Sequence, residues 1–192
     1  MPTVVSPVLP GGWSVRPSAR SVLRGGRSVL TCLVLSAVAI VAVPLQHATA
    51  PVSVDYRSDL AKLVRDARYT VVAPAGLPPS WTPVSSALAV GGANGPGTLT
   101  WHLGYMTPSG TLASLEETDA RAAEFIRRMT NSGTLESPVR LAGQTWSTRW
   151  NAGRGQRSMY LTSRPGVTVV VTGNASWHDL AILAASRHVQ SR

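Results

Sequence analysis

The chain has 192 residues, a net charge of +9 and 44% hydrophobic residues, which suits one ordinary domain and one additional segment. The arginines that carry most of the charge are scattered and do not alternate with aromatic residues, so nucleic acid is excluded as a partner. Cys32 is the only cysteine and lies in an apolar stretch, so the rest of the chain forms neither a disulfide nor a thiolate metal site, and no cofactor is expected.

The N-terminal 54 residues contain no acidic side chain, and the stretch from Val29 to Leu45 contains no charge at all. As a helix it would span roughly 26 Å, close to the thickness of a bilayer hydrocarbon core. Four arginines precede it, and basic flanks remain in the cytoplasm. We therefore expect a disordered, basic cytoplasmic leader at residues 1–27, a transmembrane helix in membrane lipid at 28–46, a linker at 47–54 and an extracytoplasmic domain at 55–188.

The same stretch also fits a signal peptide, because Ala48-Thr49-Ala50 has the small-x-small pattern of a cleavage site. The apolar core of a signal peptide usually spans about 7–15 residues. The longer run in this chain favours an anchor that is retained in the cell membrane. Both interpretations export the domain, and in the second the protein is secreted after cleavage near Ala50.

The exported part begins with an amphipathic pattern at residues 55–68, in which Leu60, Leu63, Val64 and Ala67 follow helical spacing. A short strand is predicted at residues 70–73. Four prolines between residues 74 and 83 exclude a regular ladder there, and a strand is predicted to resume at residues 84–90.

A hairpin is predicted from residues 98–107 and 111–118, joined by the turn Pro108-Ser109-Gly110. This turn makes Thr107 face Thr111 and sets the register of the two strands. Side chains alternate between the two faces of a strand, so one face is predicted to join the core. That face carries Trp101, Leu103, Tyr105, Ala113, Leu115 and Glu117.

A helix is predicted at residues 119–130 with Asp119 as its cap, followed by strands at 139–141, 145–150, 157–162 and 167–172. Ser176 and Asp179 form a capping box that opens a last helix. Three strands followed by a helix thus occur at residues 84–130 and again at 144–187. We predict an α+β fold, with an antiparallel sheet, helices packed on one side and an arrangement that suggests two βββα units.

His102 and Glu116 are cross-strand neighbours in the predicted hairpin, and a histidine held by a carboxylate is suited to acid–base chemistry. The alternative is a weak surface ion pair, because this face of the hairpin is predicted to be exposed and no nucleophile is evident beside the pair. Glu116, Glu117 and Asp119 form an acidic cluster, which a helix N-terminus favours by itself. No histidines or carboxylates have the spacing of metal ligands.

Arginines recur among the later strands and turns, with tryptophans nearby. Such a group suits an anionic component of the cell envelope or lipid head groups. The alternative, solvated arginines on a hairpin, is favoured, because the sequence does not show that the arginines cluster in space. The predicted ligand-binding residues are Arg149, Arg154, Arg157, Arg164 and Trp150.

Four short motifs follow the apolar stretch in a characteristic order: Val54-Asp55-Tyr56-Arg57, Ala75-Gly76-Leu77-Pro78 with Trp81, Trp101-His102-Leu103-Gly104, and Val169-Val170-Val171-Thr172-Gly173. Together they resemble an actinobacterial family of membrane-anchored proteins known as domain of unknown function 4245, over about residues 28–187. The resemblance implies a single-pass membrane protein of the cell envelope. It assigns no active-site residues, so none is transferred to this chain.

A clear export device without a catalytic constellation favours a non-catalytic domain that binds a ligand, another envelope protein or an anionic envelope component. The alternative is an accessory hydrolase of the cell envelope that uses His102 and Glu116. A deep cleft that contains both side chains and a nearby hydroxyl would favour the enzyme, whereas a convex sheet face with both side chains exposed would exclude it.

Overall fold

The computed structural model describes residues 52–91, 95–163 and 166–191. The predicted leader, the transmembrane helix at 28–46 and the cleavage position near Ala50 lie outside these residues. Within the described ranges, no helix is long and apolar enough to cross a membrane.

The described residues form an α+β fold around one large antiparallel sheet, as predicted. The sheet has seven strands in the order β2-β3-β4-β8-β7-β6-β5, and every neighbouring pair is antiparallel. The elements in chain order are α1 (Arg57–Asp66), β1 (Val72–Pro74), β2 (Thr82–Val90), β3 (Leu99–Met106), β4 (Leu112–Thr118), α2 (Ala122–Met129), β5 (Thr134–Leu141), β6 (Gln144–Asn151), β7 (Gln156–Ser163), β8 (Val167–Gly173), α3 (Trp177–Ala185) and β9 (Arg187–Val189).

A second sheet consists of β1 and β9 alone, paired antiparallel. The sequence predicts β1 but not β9, because Arg187-His188-Val189 contains a single apolar residue and gives no strand pattern. The backbone N–H of Gln190 also donates to the carbonyl of Val71, at 2.9 Å. Residues 187–190 therefore pair with the first strand.

The hairpin of β3 and β4 has the predicted register. The backbone N–H of Thr107 donates to the carbonyl of Thr111 at 2.8 Å, and Trp101 pairs with Glu117. The predicted core face is also confirmed, since the members of the predicted set are all buried. We call this side of the sheet the core face. Across it lie the apolar side chains of Met159, Val169, Val171, Leu180 and Leu183.

The prediction that all helices pack on one side of the sheet is wrong. Leu63 of α1 and Leu180 of α3 belong to the core-face cluster. The α2 helix packs against β7 and β8, and its Ile126 lies beside Arg149 and Tyr160, whose positions in the ladder face the other way from the core. We call this second side, which carries α2, the polar face.

The positions of α2 and α3 test whether the two suggested βββα units are copies of each other. Strands β2–β4 with α2 and strands β6–β8 with α3 follow that order, and they meet where β4 pairs with β8. A twofold rotation that relates two antiparallel neighbours in a sheet leaves each face on its own side. Because α2 and α3 lie on opposite faces, the two units are not related by a simple duplication.

The first turn of α2 differs from the prediction that Asp119 is its cap. The helix begins at Ala122, and its N-cap residue Arg121 makes no side-chain capping bond. Asp119 instead accepts a hydrogen bond from the backbone N–H of Leu99, at 2.8 Å. Its carboxylate thus fixes the start of β3 and does not cap the helix.

Candidate functional site

A cleft of about 610 Å³ opens on the core face, between α3 and the end of the sheet formed by β5, β6 and β7. The sheet register explains how the chain builds it. Trp150 pairs with Arg157 and Thr148 pairs with Met159, so all four lie at positions that share this face. The lining includes Glu136, Thr148, Trp150, Arg157, Met159 and Trp177.

Arg157 and Trp150 lie side by side in the lining of the cleft and are in contact with each other. The guanidinium carbon of Arg157 lies 4.6 Å from the centre of the Trp150 ring, a cation–π contact. Nη1 of Arg157 also donates to the carbonyl of Ala175, at 3.4 Å. A guanidinium has five N–H donors in a rigid plane, so these two contacts orient it while most donors stay available to an anion.

Trp177 forms part of the opposite wall, at the first position of α3. The cap of this helix is confirmed, because the backbone N–H of Asp179 donates to Oγ of Ser176 at 3.1 Å. The capped end fixes the indole at the mouth of the cleft, where Trp177 is 37% exposed. Glu136 lies on the third side and is also exposed. The cleft therefore combines two indoles and one guanidinium with a carboxylate at the rim.

Two of the other predicted arginines, Arg149 and Arg154, do not line the cleft that contains Arg157. Arg149 lies on the polar face, where its guanidinium is 5.8 Å from the Tyr160 ring and its Nη1 donates to the carbonyl of Gly133 at 2.7 Å. Arg154 lies in the short 3-10 turn after β6. Arg164 lies outside the described residues. Of the predicted binding residues that the structure describes, only Trp150 and Arg157 share this cleft.

His102 and Glu116 are confirmed as cross-strand partners, and Nδ1 of His102 lies 2.6 Å from Oε1 of Glu116. The predicted exposure of this pair is wrong, because Glu116 is 6% exposed and only the imidazole reaches solvent. The hydrogen bond that the imidazole donates to Glu116 raises the pKa of His102, and burial of the ring opposes that rise. The pair is therefore not an ion pair of the fully exposed kind, which contributes little to stability.

Ser85 completes this cluster on the polar face. Its Oγ lies 2.9 Å from Nε2 of His102, so both ring nitrogens have a side-chain partner. The β2–β3 register shifts between Pro83 and Ser85, which leaves Val84 unpaired and turns the Ser85 side chain toward His102. We call Ser85, His102 and Glu116 the strand triad.

The acidic cluster predicted at the end of β4 is divided by the sheet. Glu117 points into the core, where it is 0% exposed and its carboxylate accepts the backbone N–H of Val72 at 3.3 Å. Burial raises the pKa of Glu117 to about 8, although Val72 and the charge of Arg187 act in the opposite direction. Glu117 therefore carries a proton over much of the neutral range.

Two residues of these sites escape sequence reasoning. Ser85 gives no signal, because its direction depends on the irregularity at Val84, which hydropathy does not reveal. Trp177 gives a weak signal. It follows the helix cap Ser176 directly and is a large aromatic residue between polar neighbours. Among the described residues, no three histidine, cysteine, aspartate or glutamate side chains are grouped so that they could hold a metal ion.

Residues 26–187 match the family described as protein of unknown function (DUF4245). The match covers most of the chain, so the chain belongs to this family and the family assignment drawn from the sequence is confirmed. The actinobacterial origin and the membrane anchor that the resemblance implies stay predictions. No curated protein sequence matches the chain.

Proposed function

We propose that this member of the DUF4245 family is a binding domain held at the outer surface of the cell membrane, and that its ligand occupies the cleft between α3 and β5–β7. The observation that carries the proposal is the guanidinium of Arg157, stacked on Trp150 inside a cavity of about 610 Å³. Ligand sites are concave and largely apolar, with a few polar groups that fix orientation. The cleft has this composition.

The charges of the cleft restrict the ligand. Arg157 supplies one permanent positive charge with a planar set of donors, which suits a phosphate or carboxylate group. Trp150, Met159 and Trp177 supply flat or apolar surface for a ring or an acyl chain. Glu136 at the rim disfavours a second negative charge. The proposed ligand therefore has a single anionic group joined to an apolar portion, as an anionic lipid does.

The test uses the full-length protein in nanodiscs of phosphatidylcholine, titrated calorimetrically with dihexanoylphosphatidylglycerol. We expect Arg157→Gln to weaken binding about tenfold or more, because a hydrogen bond to a charged group contributes about 1.5–3 kcal/mol. Arg149→Gln is the matched control, since Arg149 lies on the polar face. Equal loss of affinity in both variants would contradict the assignment of the site.

Two further ligands separate the parts of the proposed recognition. Dihexanoylphosphatidylcholine has the same chains without the net charge, and glycerol phosphate has the charge without the chains. The proposal requires that both bind more weakly than dihexanoylphosphatidylglycerol. If glycerol phosphate binds equally well, the apolar walls contribute nothing and the proposed ligand class is wrong.

The membrane anchor is a separate part of the proposal and is supported by the uncharged stretch at residues 29–45 behind four arginines. A tag fused after Arg192 should be digested by protease added to intact cells without their wall. Protection of the tag until lysis would contradict the orientation. The mass of the mature protein distinguishes a retained anchor from cleavage near Ala50.

A further inference from the structure

The strand triad carries an inference beyond ligand binding. Its three side chains come from three adjacent strands, β2, β3 and β4, and they lie on the polar face, away from the cleft. Oγ of Ser85 is 2.9 Å from Nε2 of His102, and Nδ1 of the same ring is 2.6 Å from Oε1 of Glu116. We propose that Ser85 is a nucleophile activated by His102 and Glu116, and that the polar face carries an esterase-type site for carboxylic esters.

The two contacts of the imidazole assign the roles. A carboxylate accepts hydrogen bonds, so Glu116 holds the proton on Nδ1 and leaves the lone pair of Nε2 toward the Ser85 hydroxyl. This chain of hydroxyl, imidazole and carboxylate is recognised by its geometry and occurs on unrelated folds. Glu116 is 6% exposed, so solvent and salt screen its charge weakly.

The three side chains of the strand triad differ in solvent exposure, and nucleophilic catalysis requires an accessible hydroxyl and imidazole. The carboxylate of Glu116 is buried, while the side chain of His102 is 37% exposed and Ser85 is half-buried on an edge strand. The hydroxyl and the imidazole are thus within reach of a molecule in solution, whereas the group that orients the ring is held inside. A purely structural hydrogen-bond network has no need of this gradient.

The local backbone also places the hydroxyl. The unpaired Val84 lets Ser85 face His102, whereas the next residue, Ser86, faces the core and donates to Oδ2 of Asp59 at 2.7 Å. Ser85 lies opposite Gly104, and a Cβ at Gly104 would overlap the Ser85 hydroxyl and come 3.3 Å from Nε2 of His102. The glycine therefore leaves the space that the hydroxyl occupies.

The proposed reaction hydrolyses an ester and requires only the strand triad and one water molecule. Oγ of Ser85 attacks the ester carbonyl carbon while its proton moves to Nε2 of His102, and that proton then leaves with the departing alcohol. Water attacks the acyl group on Ser85, gives one proton to Nε2 and forms the free acid. The proton on Nε2 returns to Ser85, which regenerates the site.

The test treats the full-length protein with a fluorophosphonate, which reacts with activated serine by forming an O–P bond and releasing hydrogen fluoride. Intact mass and peptide mapping should locate one adduct on Ser85. We expect Ser85→Ala to abolish the adduct, and His102→Gln to slow its formation by about a hundredfold or more, as loss of a general base does. Hydrolysis of p-nitrophenyl acetate should fall in parallel.

Two variants separate activation from folding. Gly104→Ala keeps all three triad residues but displaces the Ser85 hydroxyl, so labelling should be lost while the thermal unfolding midpoint shows the variant to be folded. Ser114→Ala removes another serine at a polar-face position, opposite Gly104, and should label as the wild type does. No adduct on the wild-type protein, or equal labelling of His102→Gln, would overturn the proposal.

Discussion

The two faces of the sheet differ most clearly at two consecutive residues of β4. Glu116 and Glu117 are both buried, at 6% and 0% exposure. Glu116, on the polar face, is bonded to the imidazole of His102. Glu117, on the core face, accepts only long hydrogen bonds from the backbone of Val72, and burial raises its pKa to about 8. The two carboxylates are thus similarly buried but have different partners, an imidazole for Glu116 and a backbone N–H for Glu117.

The same contrast holds for the surroundings of the two residues. The core face is built from large apolar side chains and supplies stability through burial. On the polar face, Ser158 and Thr172 are buried hydroxyls that bond to each other at 2.7 Å. The core face therefore buries the main apolar cluster, whereas the polar face brings hydrogen-bonding side chains into contact with one another.

The largest effect that does not depend on pH is expected from truncation of the core face. Leu115→Ala should reduce the free energy of unfolding by about 2–5 kcal/mol, since Leu115 is fully buried and the change leaves a cavity. Ser114→Ala, one residue earlier on the polar face, should change it by less than about 1.5 kcal/mol, as loss of one neutral hydrogen bond does. Chemical denaturation of both variants measures the difference. Equal effects would contradict the division of the two faces.

The next effect concerns the pH dependence of stability. The folded-state pKa of Glu117 lies above its ordinary value, so the folded protein holds the proton more tightly than the unfolded chain. The stability from this group is complete below about pH 4.5 and is lost as the pH rises through about 8. Glu117→Gln cannot ionise. Its free energy of unfolding should match that of the wild type at pH 5 and exceed it at pH 9, by on the order of 3–5 kcal/mol.

The same substitution at an exposed residue gives a control for this comparison. Glu124 on α2 is bonded to Arg127, which lowers the pKa of Glu124, so its contribution is lost on acidification. Glu124→Gln should therefore leave the stability at pH 9 nearly unchanged, because exposed ion pairs contribute little. Urea unfolding at pH 5, 7 and 9 tests both variants. A fall in the stability of Glu117→Gln relative to the wild type with rising pH would refute the assigned direction.

The smallest expected effect is a change in the titration of one imidazole. The hydrogen bond that the ring donates to Glu116 is the main cause of the raised pKa of His102. Glu116→Gln should therefore lower the pKa of His102, because the neutral amide no longer favours the charged ring. Titration of the His102 ring signals by NMR measures the shift. An unchanged or raised pKa would show that Glu116 does not control the ring.

The hairpin and its faces are predictable because alternation and a three-residue turn fix the register of β3 and β4. The same register is enough to predict that His102 lies beside Glu116. The bulge at Val84 is not predictable, since one unpaired residue turns Ser85 to the other face without a change in hydropathy. The sequence pattern therefore does not reveal the hydroxyl of the strand triad.

The arginines fail as a predicted set for a similar reason. Arg149 and Arg157 lie on the neighbouring strands β6 and β7, but the register of these strands places their side chains on opposite faces of the sheet. Only the pairing of Trp150 with Arg157 identifies the two residues that share a face. The side on which α2 packs is equally hidden, because an amphipathic helix shows which of its own faces is apolar and not which face of the sheet it covers.

The central claim is that the cleft beside α3 is the ligand site, and tryptophan indole signals test it most directly. The described residues include Trp150 and Trp177 in the cleft, and Trp81, Trp101 and Trp146 in the core. In NMR spectra of the nanodisc-bound protein, added dihexanoylphosphatidylglycerol should shift the indole N–H signals of Trp150 and Trp177 alone. Unchanged signals from both at saturating lipid, or larger shifts at Trp101, would contradict the account.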